Sequence, residues 1–287
     1  MKKVKVSIFI AIFLVLILST VVLGGNVVAS AYLDKEEDAQ KKGTPLIILM
    51  YHELSDRKCS EHILSPATFE ADIKYLSDNG YTSILMQDII NFVENGTPLP
   101  AKPVMITFDD GGKTDYTKAY PILKKYNTKA VFSVVGHYLE RMYNEDGELN
   151  GVYVNSTTYA MLREMLDSGL IEVANHTYRL HSLEGRKGLK NKSREKYEDY
   201  KIVLENDLKK LDGLLEKKLG IVPSTIAFPY GAYSKDTLKI IKELGYKASL
   251  TCNEGINYIT PEANLYLLKR YNRNPNRSIQ KLFEKIT

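Results

Sequence analysis

Short apolar runs alternate with amphipathic stretches along most of the chain after residue 44. The amphipathic stretches begin near serine or threonine and several end at a glycine, which is typical of helix starts and ends. Runs that are apolar throughout, alternating with helices, indicate a parallel sheet buried on both faces. The predicted strands are residues 46–51, 82–85, 104–108, 130–135, 171–174, 225–228, 248–250 and 266–268, and the predicted helices are residues 68–79, 114–126, 156–168, 193–219 and 234–244.

The number of these units, about seven or eight, favours a closed or nearly closed barrel over an open doubly wound sheet. An open nucleotide-binding sheet is also disfavoured because no glycine-rich fingerprint follows the first strand. At 287 residues, 44% of them hydrophobic, the chain is long enough to bury one large core. We therefore predict an α/β fold with a single barrel domain over residues 45–287.

The first 31 residues have the composition of an export segment. Three lysines precede an uncharged apolar stretch at residues 6–23, and Ala29-Ser30-Ala31 has the small residues of a cleavage site. The stretch is long for a removable signal and just long enough to cross a bilayer, so a cleaved signal peptide and a membrane anchor both remain open. In either case we expect residues 32–44 to be a linker and the domain to be extracellular, either secreted or anchored to the outer face of the membrane.

The charge of the chain gives no reason to expect a nucleic acid partner. The formal net charge is +4 at pH 7, and the three lysines of the export segment precede every other charged side chain, so the remainder carries +4 − 3 = +1. Such a domain has no basic excess for binding nucleic acid.

The two cysteines, Cys59 and Cys252, leave one disulfide and two free thiols equally open. We predict no protein partner.

Polar side chains with catalytic chemistry directly follow several of the predicted strands. His52 follows the first strand, Asp109 and Asp110 follow the third, and His176 follows the fifth. The carboxyl ends of the strands share one face of a parallel barrel, and active sites are built on that face. We therefore expect these side chains to meet.

Two histidines in one short segment, His176 and His181, indicate a metal site. Five residues apart, they lie on different faces of a helix or a strand, so the segment must be a turn if both bind one ion. With Asp110 they supply three ligands and leave positions open, as in a catalytic metal site. Zinc is the default ion, and the same ligands also suit cobalt and nickel. Asp109 then remains as a general base.

Three short motifs resemble those of the polysaccharide deacetylases, carbohydrate esterase family four. Residues 107–111 are similar to the first motif of that family, His176-Thr177 with His181 to the second, and residues 228–231 to the third. The resemblance covers about residues 46–270. It implies a distorted parallel barrel of the (β/α)7 type and the removal of acetyl groups from sugar polymers.

Departures from the common pattern narrow the subgroup. Ala227 stands where many members have an arginine, the chain has no tryptophan, and no histidine follows His181 to act as the catalytic acid. Residues 49–53 resemble the Met-Tyr-His opening of the subgroup that deacetylates poly-N-acetylglucosamine, which makes His52 the candidate acid. Arg270 is the candidate partner of Asp109. The residues assigned to the substrate-binding side of the site are Pro229, Tyr230 and Arg270.

The resemblance implies a metal-dependent hydrolase that removes N-acetyl groups from an extracellular polysaccharide, with poly-β-1,6-N-acetylglucosamine as the favoured substrate. A peptidoglycan deacetylase and a deacetylase of O-acetylated glycans such as xylan are the alternatives within the same chemistry. A catalytically silent wall protein that binds glycans through its 20 tyrosines is a further alternative. An unrelated barrel amidohydrolase is disfavoured because the first strand lacks a His-x-His pair.

The lysine- and glutamate-rich stretch at residues 193–218 has helical spacing of apolar residues. Ile202, Leu204, Leu208, Leu211 and Leu215 would form its buried face. We expect it to be an outer helix of the barrel whose charged side chains need no partner.

Overall fold

The structure, a computed structural model, describes residues 43–57, 60–141 and 155–284. Seven of its strands, β1 and β4 to β9, fall on predicted apolar runs, because runs without polar residues can be buried on both faces. The strands are β1 (Thr44–Tyr51), β2 (Glu53–Leu54), β3 (Ile63–Leu64), β4 (Thr82–Ser83), β5 (Pro103–Phe108), β6 (Ala130–Val134), β7 (Ile171–Asn175), β8 (Thr225–Ala227), β9 (Ala248–Leu250), β10 (Asn257–Ile259) and β11 (Tyr271–Asn272).

Helices fill most of the connections between these strands. Ser65 and Thr158 cap two of them by accepting a hydrogen bond from a backbone amide of the first turn. A π-helical turn, Asp115–Ala119, precedes α3, and a 3-10 turn, Pro229–Gly231, follows β8. The helices are α1 (Pro66–Asp78), α2 (Met86–Asn95), α3 (Tyr120–Lys125), α4 (Gly136–Glu140), α5 (Tyr159–Asp167), α6 (Tyr197–Leu219), α7 (Lys235–Glu243) and α8 (Ile279–Phe283).

The main sheet has the order β10-β1-β5-β6-β7-β8-β9, with β4 beside β5 and β11 beside β1. All of its pairs are parallel except β10 with β1. The sheet curls into a half-barrel. The α/β barrel prediction is thus confirmed.

Residues 265–272 lie between the two ends of this sheet. Leu268 forms a parallel bridge with Leu250 of β9, and Tyr271 pairs with Leu49 of β1. The predicted strand at 266–268 is therefore wrong in extent: only its last residue bridges the sheet. The ladder continues instead as β11, which was not predicted because Tyr271-Asn272 has no apolar run.

The sheet separates two apolar clusters. Alternate residues of β1 enter different clusters: Ile47 and Leu49 pack with the outer helices, whereas Leu46 and Ile48 pack on the other face. Helix α2 contributes three buried side chains to the second cluster: Met86, Ile89 and Ile90. This helix was not predicted, because Leu85 occupies its N-cap and no serine or threonine marks its start.

Some predictions concern residues that the structure does not describe. These include the signal or anchor segment at 1–31 and nearly all of the linker at 32–44. Cys59 is also not among the described residues, and Cys252 is a free thiol. Within the described ranges, no helix is long and apolar enough to cross a membrane.

Candidate active site

The first motif forms the turn after β5. Asp109 N–H donates to the Tyr51 carbonyl at 3.0 Å, which extends the ladder between β5 and β1. Asp110 then adopts a φ of 76° and Gly111 a φ of 68°, and two successive left-handed residues reverse the chain sharply. A Cβ at Gly111 would lie 3.1 Å from Val134 Cγ1. Close packing against β6 and the backbone angle therefore both favour glycine here.

Asp109 is buried in a bidentate ion pair with Arg270. Its carboxylate oxygens lie 2.8 Å from Nη1 and 2.7 Å from Nη2 of the guanidinium, whose Nε donates to the Thr251 carbonyl. Burial alone would raise the pKa of Asp109, but Arg270, followed by His176 and His52, lowers it to about 2. Asp109 is therefore ionised at neutral pH. Arg270 is itself 0% exposed, so it faces Asp109 and not the solvent side of the site.

Asp110 lies between the two histidines of the second motif. Its Oδ1 is 3.4 Å from His176 Nε2 and 3.0 Å from His181 Nε2. Burial acts to raise the pKa of Asp110, but the two imidazoles beside it hold it well below its usual range. The two residues of the Asp-Asp pair thus face different partners, guanidinium for the first and imidazole for the second.

The orientation of His176 is set by its other ring nitrogen. Nδ1 lies 2.9 Å from the Ala227 carbonyl, and because a carbonyl only accepts, Nδ1 carries a proton and donates it. Nε2 is then the nitrogen left for a ligand. The ring is 2% exposed. Ala227 stands at the position of the third motif where many family members have an arginine. It contributes to the site through its backbone carbonyl.

His181 is flanked by two tyrosine hydroxyls. Its Nδ1 lies 3.4 Å from Tyr138 Oη and 3.2 Å from Tyr230 Oη. Tyr230 belongs to the 3-10 turn Pro229–Gly231 and adopts a φ of 58°, which turns its partly exposed side chain toward His181. Pro229 is buried in the same turn. Tyr138 could not be predicted from the strand ends because it lies within the first turn of α4, four residues after β6.

Asp109, Asp110 and Tyr138 border an open pocket of about 690 Å³. Glu53, Ser60 and His62 come from the segment after β1, and the turn after β5 supplies the floor. A volume of this size is within the range of pockets that bind small molecules. The remaining lining residues are His52, Ile63, Gly111, Gly112, Lys113, Thr114, Thr117, Arg141, Asn155 and Ser156.

His52 lies in this pocket beside a second imidazole. The ring centroids of His52 and His62 are 4.6 Å apart, and Glu53 N–H donates to the His62 carbonyl, which holds the two segments together. His52 Nδ1 is buried and has no hydrogen-bond partner among the described residues. Burial lowers the pKa of His52, while Asp109 and Asp110 act to raise it. His62 was missed because it follows no predicted strand.

The residues present fit a catalytic metal ion. The ligand atoms of Asp110, His176 and His181 all lie within 4.8 Å of one another. One carboxylate and two imidazoles form a donor set suited to zinc, cobalt or nickel. A carbonyl that fixes the remote nitrogen of a histidine, as Ala227 does for His176, is also usual around metal-binding histidines.

Comparisons with known proteins agree with this site. The sequence profile described as polysaccharide deacetylase matches residues 96–249, and the chain belongs to that family. It is 28% identical over 283 residues to the poly-beta-1,6-N-acetyl-D-glucosamine N-deacetylase of Staphylococcus aureus, covering 93% of this chain and 92% of that protein. The family and the subgroup suggested by the motifs are confirmed.

Two solved structures are similar over most of their length. The first is a de-N-acetylase from Aggregatibacter actinomycetemcomitans, with a TM-score of 0.70, 26% identity and coverage of 84% of this chain and 99% of that chain. The second is the deacetylase PplD of Streptococcus pyogenes in complex with acetate, with a TM-score of 0.69, 27% identity and coverage of 86% and 100%. The protein is thus a polysaccharide deacetylase, a hydrolase of amide bonds, related to the poly-β-1,6-N-acetylglucosamine deacetylases.

Proposed function

We propose that the protein is a metal-dependent deacetylase that removes N-acetyl groups from poly-β-1,6-N-acetylglucosamine outside the cell. The observation that carries the proposal is the convergence of Asp110, His176 and His181, with Asp110 and the ionised Asp109 lining an open pocket. Deacetylases of this family are metal-dependent, and the donor set fits that chemistry.

Asp110, His176 and His181 would hold the ion. A bound divalent metal supplies Lewis acidity that makes the acetamide carbonyl more electrophilic and the attacking water more acidic. His176 keeps its ligating nitrogen available because its other nitrogen donates to Ala227 O. His181 is oriented by the hydroxyl of Tyr230.

Asp109 and His52 move the protons. Asp109, held as a carboxylate by Arg270, takes a proton from the water as its oxygen bonds to the carbonyl carbon. His52 gives a proton to the nitrogen as the carbon–nitrogen bond breaks. The products are acetate and a glucosamine unit. The backbone amide of Tyr230 is the proposed donor to the developing oxyanion.

Two observations support poly-β-1,6-N-acetylglucosamine as the substrate. The similarity to the staphylococcal enzyme extends over 93% of this chain and 92% of that protein, so it includes the segment that carries His52. That segment places His52 in the pocket next to Asp109 and Asp110. It thus supplies a histidine to a chain that has none after His181.

The location rests on the first 31 residues. Lysines followed by an apolar stretch and small residues are typical of exported chains. We therefore place the enzyme outside the cytoplasm, secreted or attached to the membrane by this segment. Cell fractionation with sequencing of the mature N-terminus tests this: an intact chain confined to the cytoplasm would contradict it.

The direct test is acetate release by the purified chain, first stripped of metal and then given zinc or cobalt. The substrates are β-1,6-linked N-acetylglucosamine oligomers, β-1,4-linked chitin oligomers, peptidoglycan and acetylated xylan. We expect metal-dependent release that is fastest on the β-1,6 oligomers. Faster release from another polymer would reject the substrate, and no release from any of them despite tight metal binding would favour a silent glycan-binding protein.

A further inference from the structure

The two histidines of the second motif are held by different parts of the fold. His176 N–H donates to the Val134 carbonyl, which continues the β7 ladder, and its ring is fixed by Ala227. His181 lies beyond a loop that begins with Thr177 at a φ of 73°. Tyr138 and Tyr230 contact its ring, whereas the position of its backbone depends on the contacts that hold residues 177–180.

A carboxylate on α6 holds that loop. Asp207 Oδ1 accepts from Tyr178 N–H and Oδ2 accepts from Arg179 N–H, both at 2.8 Å. The neighbouring Leu180 amide also acts to lower the pKa of this carboxylate. Two successive amides that donate to one carboxylate form a charge-assisted anchor shortly before His181.

Asp207 occupies a position that packing alone would give to an apolar residue. Leu204 and Leu211 are 0% exposed and lie on the same helix face as Asp207, three residues before it and four residues after it. A half-buried carboxylate in an apolar stripe is costly unless it is hydrogen-bonded. Here the loop amides satisfy it, which ties α6 to the second motif.

The same loop is held on its other side by the start of α4. Gly136 N–H donates to the Thr177 carbonyl and His137 N–H to the Tyr178 carbonyl. These bonds fix the first half of the loop. Asp207 adds the hydrogen bond to Arg179 N–H, two residues before His181.

We infer that Asp207 is a positioning residue for His181, setting the distance between its imidazole and Asp110 without touching substrate or metal. The inference rests on the proposed function, since it assigns His181 to the metal. Asp207→Asn leaves one acceptor and turns an amide donor toward a loop N–H, so the last residues of the loop lose an anchor. The strand-held His176 keeps its place.

The test is zinc affinity, measured by competition with a chromophoric chelator on the metal-free chain, together with its unfolding midpoint without metal. Asp207→Asn is expected to weaken zinc binding roughly 10–100-fold, as loss of a supporting hydrogen bond does at other metal sites. Asp207→Glu, which keeps the carboxylate, is expected to recover part of the loss. The matched control is Asp199→Asn, an exposed aspartate on the same helix, which should bind zinc like the parent.

Three results would overturn the inference. Zinc affinity of Asp207→Asn within twofold of the parent would show that the loop holds His181 without it. A loss of affinity that follows the fall in unfolding midpoint, with no recovery in Asp207→Glu, would leave only a structural role. A parent chain that binds no zinc would contradict the proposed function itself, whereas either of the first two results leaves that function standing.

Discussion

Asp109 and Asp110 are adjacent in the sequence but face different partners. The left-handed turn at Asp110 and Gly111 separates their side chains, so that Asp109 meets Arg270 and Asp110 meets the two imidazoles. The guanidinium keeps Asp109 ionised, with a pKa of about 2. This division assigns proton transfer to Asp109 and metal binding to Asp110.

His52→Asn tests the acid at the residue scale. We expect release of acetate from N-acetylglucosamine oligomers to fall by about 10²–10⁴-fold, because a departing amine needs a proton. Release from an aryl acetate, whose phenolate leaves without protonation, should change much less. The measurement is the ratio of the two rates, and an equal loss on both substrates would remove His52 from the acid role.

The residues that the sequence could predict are those whose chemistry directly follows a strand. His52, Asp109, Asp110 and His176 share the end of the sheet, as the alternation of strands and helices predicted. His62 reaches the site from a loop and Tyr138 from a helix, and Asp207 supports it from another helix. The positions of the strand ends therefore do not predict them. The clearest missed signal was Asp207, a charge within the leucine spacing of a predicted helix.

The elements around the second motif act as supports for its loop. Two expectations for α6 were wrong: Ile202 is 57% exposed instead of buried, and several of the charged side chains have partners. Asp207 binds the loop amides, and Asp212 accepts from Asn175 and from the hydroxyl of Tyr246. Periodicity locates a helix but does not show which polar residues on its inner edge meet a neighbouring loop.

Gly136→Ala tests the packing between α4 and this loop. A Cβ there would lie 2.7 Å from Tyr178 Cδ2 and 2.9 Å from Leu211 Cδ1, so the loop must shift. We expect the free energy of unfolding to fall by about 1–3 kcal/mol and zinc affinity to fall with it. Gly213→Ala on α6, where a Cβ meets nothing within 4 Å, is the control and should stabilise by roughly 0.5–1 kcal/mol. Equal stability of the two variants would contradict the packing.

Glu172 of β7 gives the fold a dependence on pH. Its carboxylate accepts from the Gln87 amide at the start of α2, and burial raises its pKa from 4.5 to about 7. Because the folded pKa lies above the unfolded one, the stabilisation is complete below about 4.5 and is lost as the pH rises through about 7.

We therefore expect Glu172→Gln to gain stability relative to the parent between pH 5 and pH 8, measured as the difference in unfolding free energy at each pH. Glu198→Gln, an exposed change on α6, is the control and should follow the parent. A difference between Glu172→Gln and the parent that stays constant over this range would show that Glu172 does not titrate there.

The part of the chain that the structure describes is a half-barrel in which one end of the sheet gathers the chemistry. Its central parallel strands, β1 and β5 to β9, could be predicted because each is a largely apolar, buried run. The region around β10, β11 and residues 265–272 could not, because its short segments are defined by pairing with distant β1 and β9. That same region supplies Arg270, whose pairing with Asp109 fixes the base.

The most direct measurement is zinc binding and acetate release by Asp109→Asn and His176→Ala, beside the parent, on β-1,6-linked N-acetylglucosamine oligomers. We expect Asp109→Asn to bind zinc, which also reports that it is folded, while releasing acetate about 10²–10⁴-fold more slowly. His176→Ala should lose both zinc and activity. Turnover by Asp109→Asn at the parent rate, or zinc-dependent turnover by His176→Ala, would contradict the account.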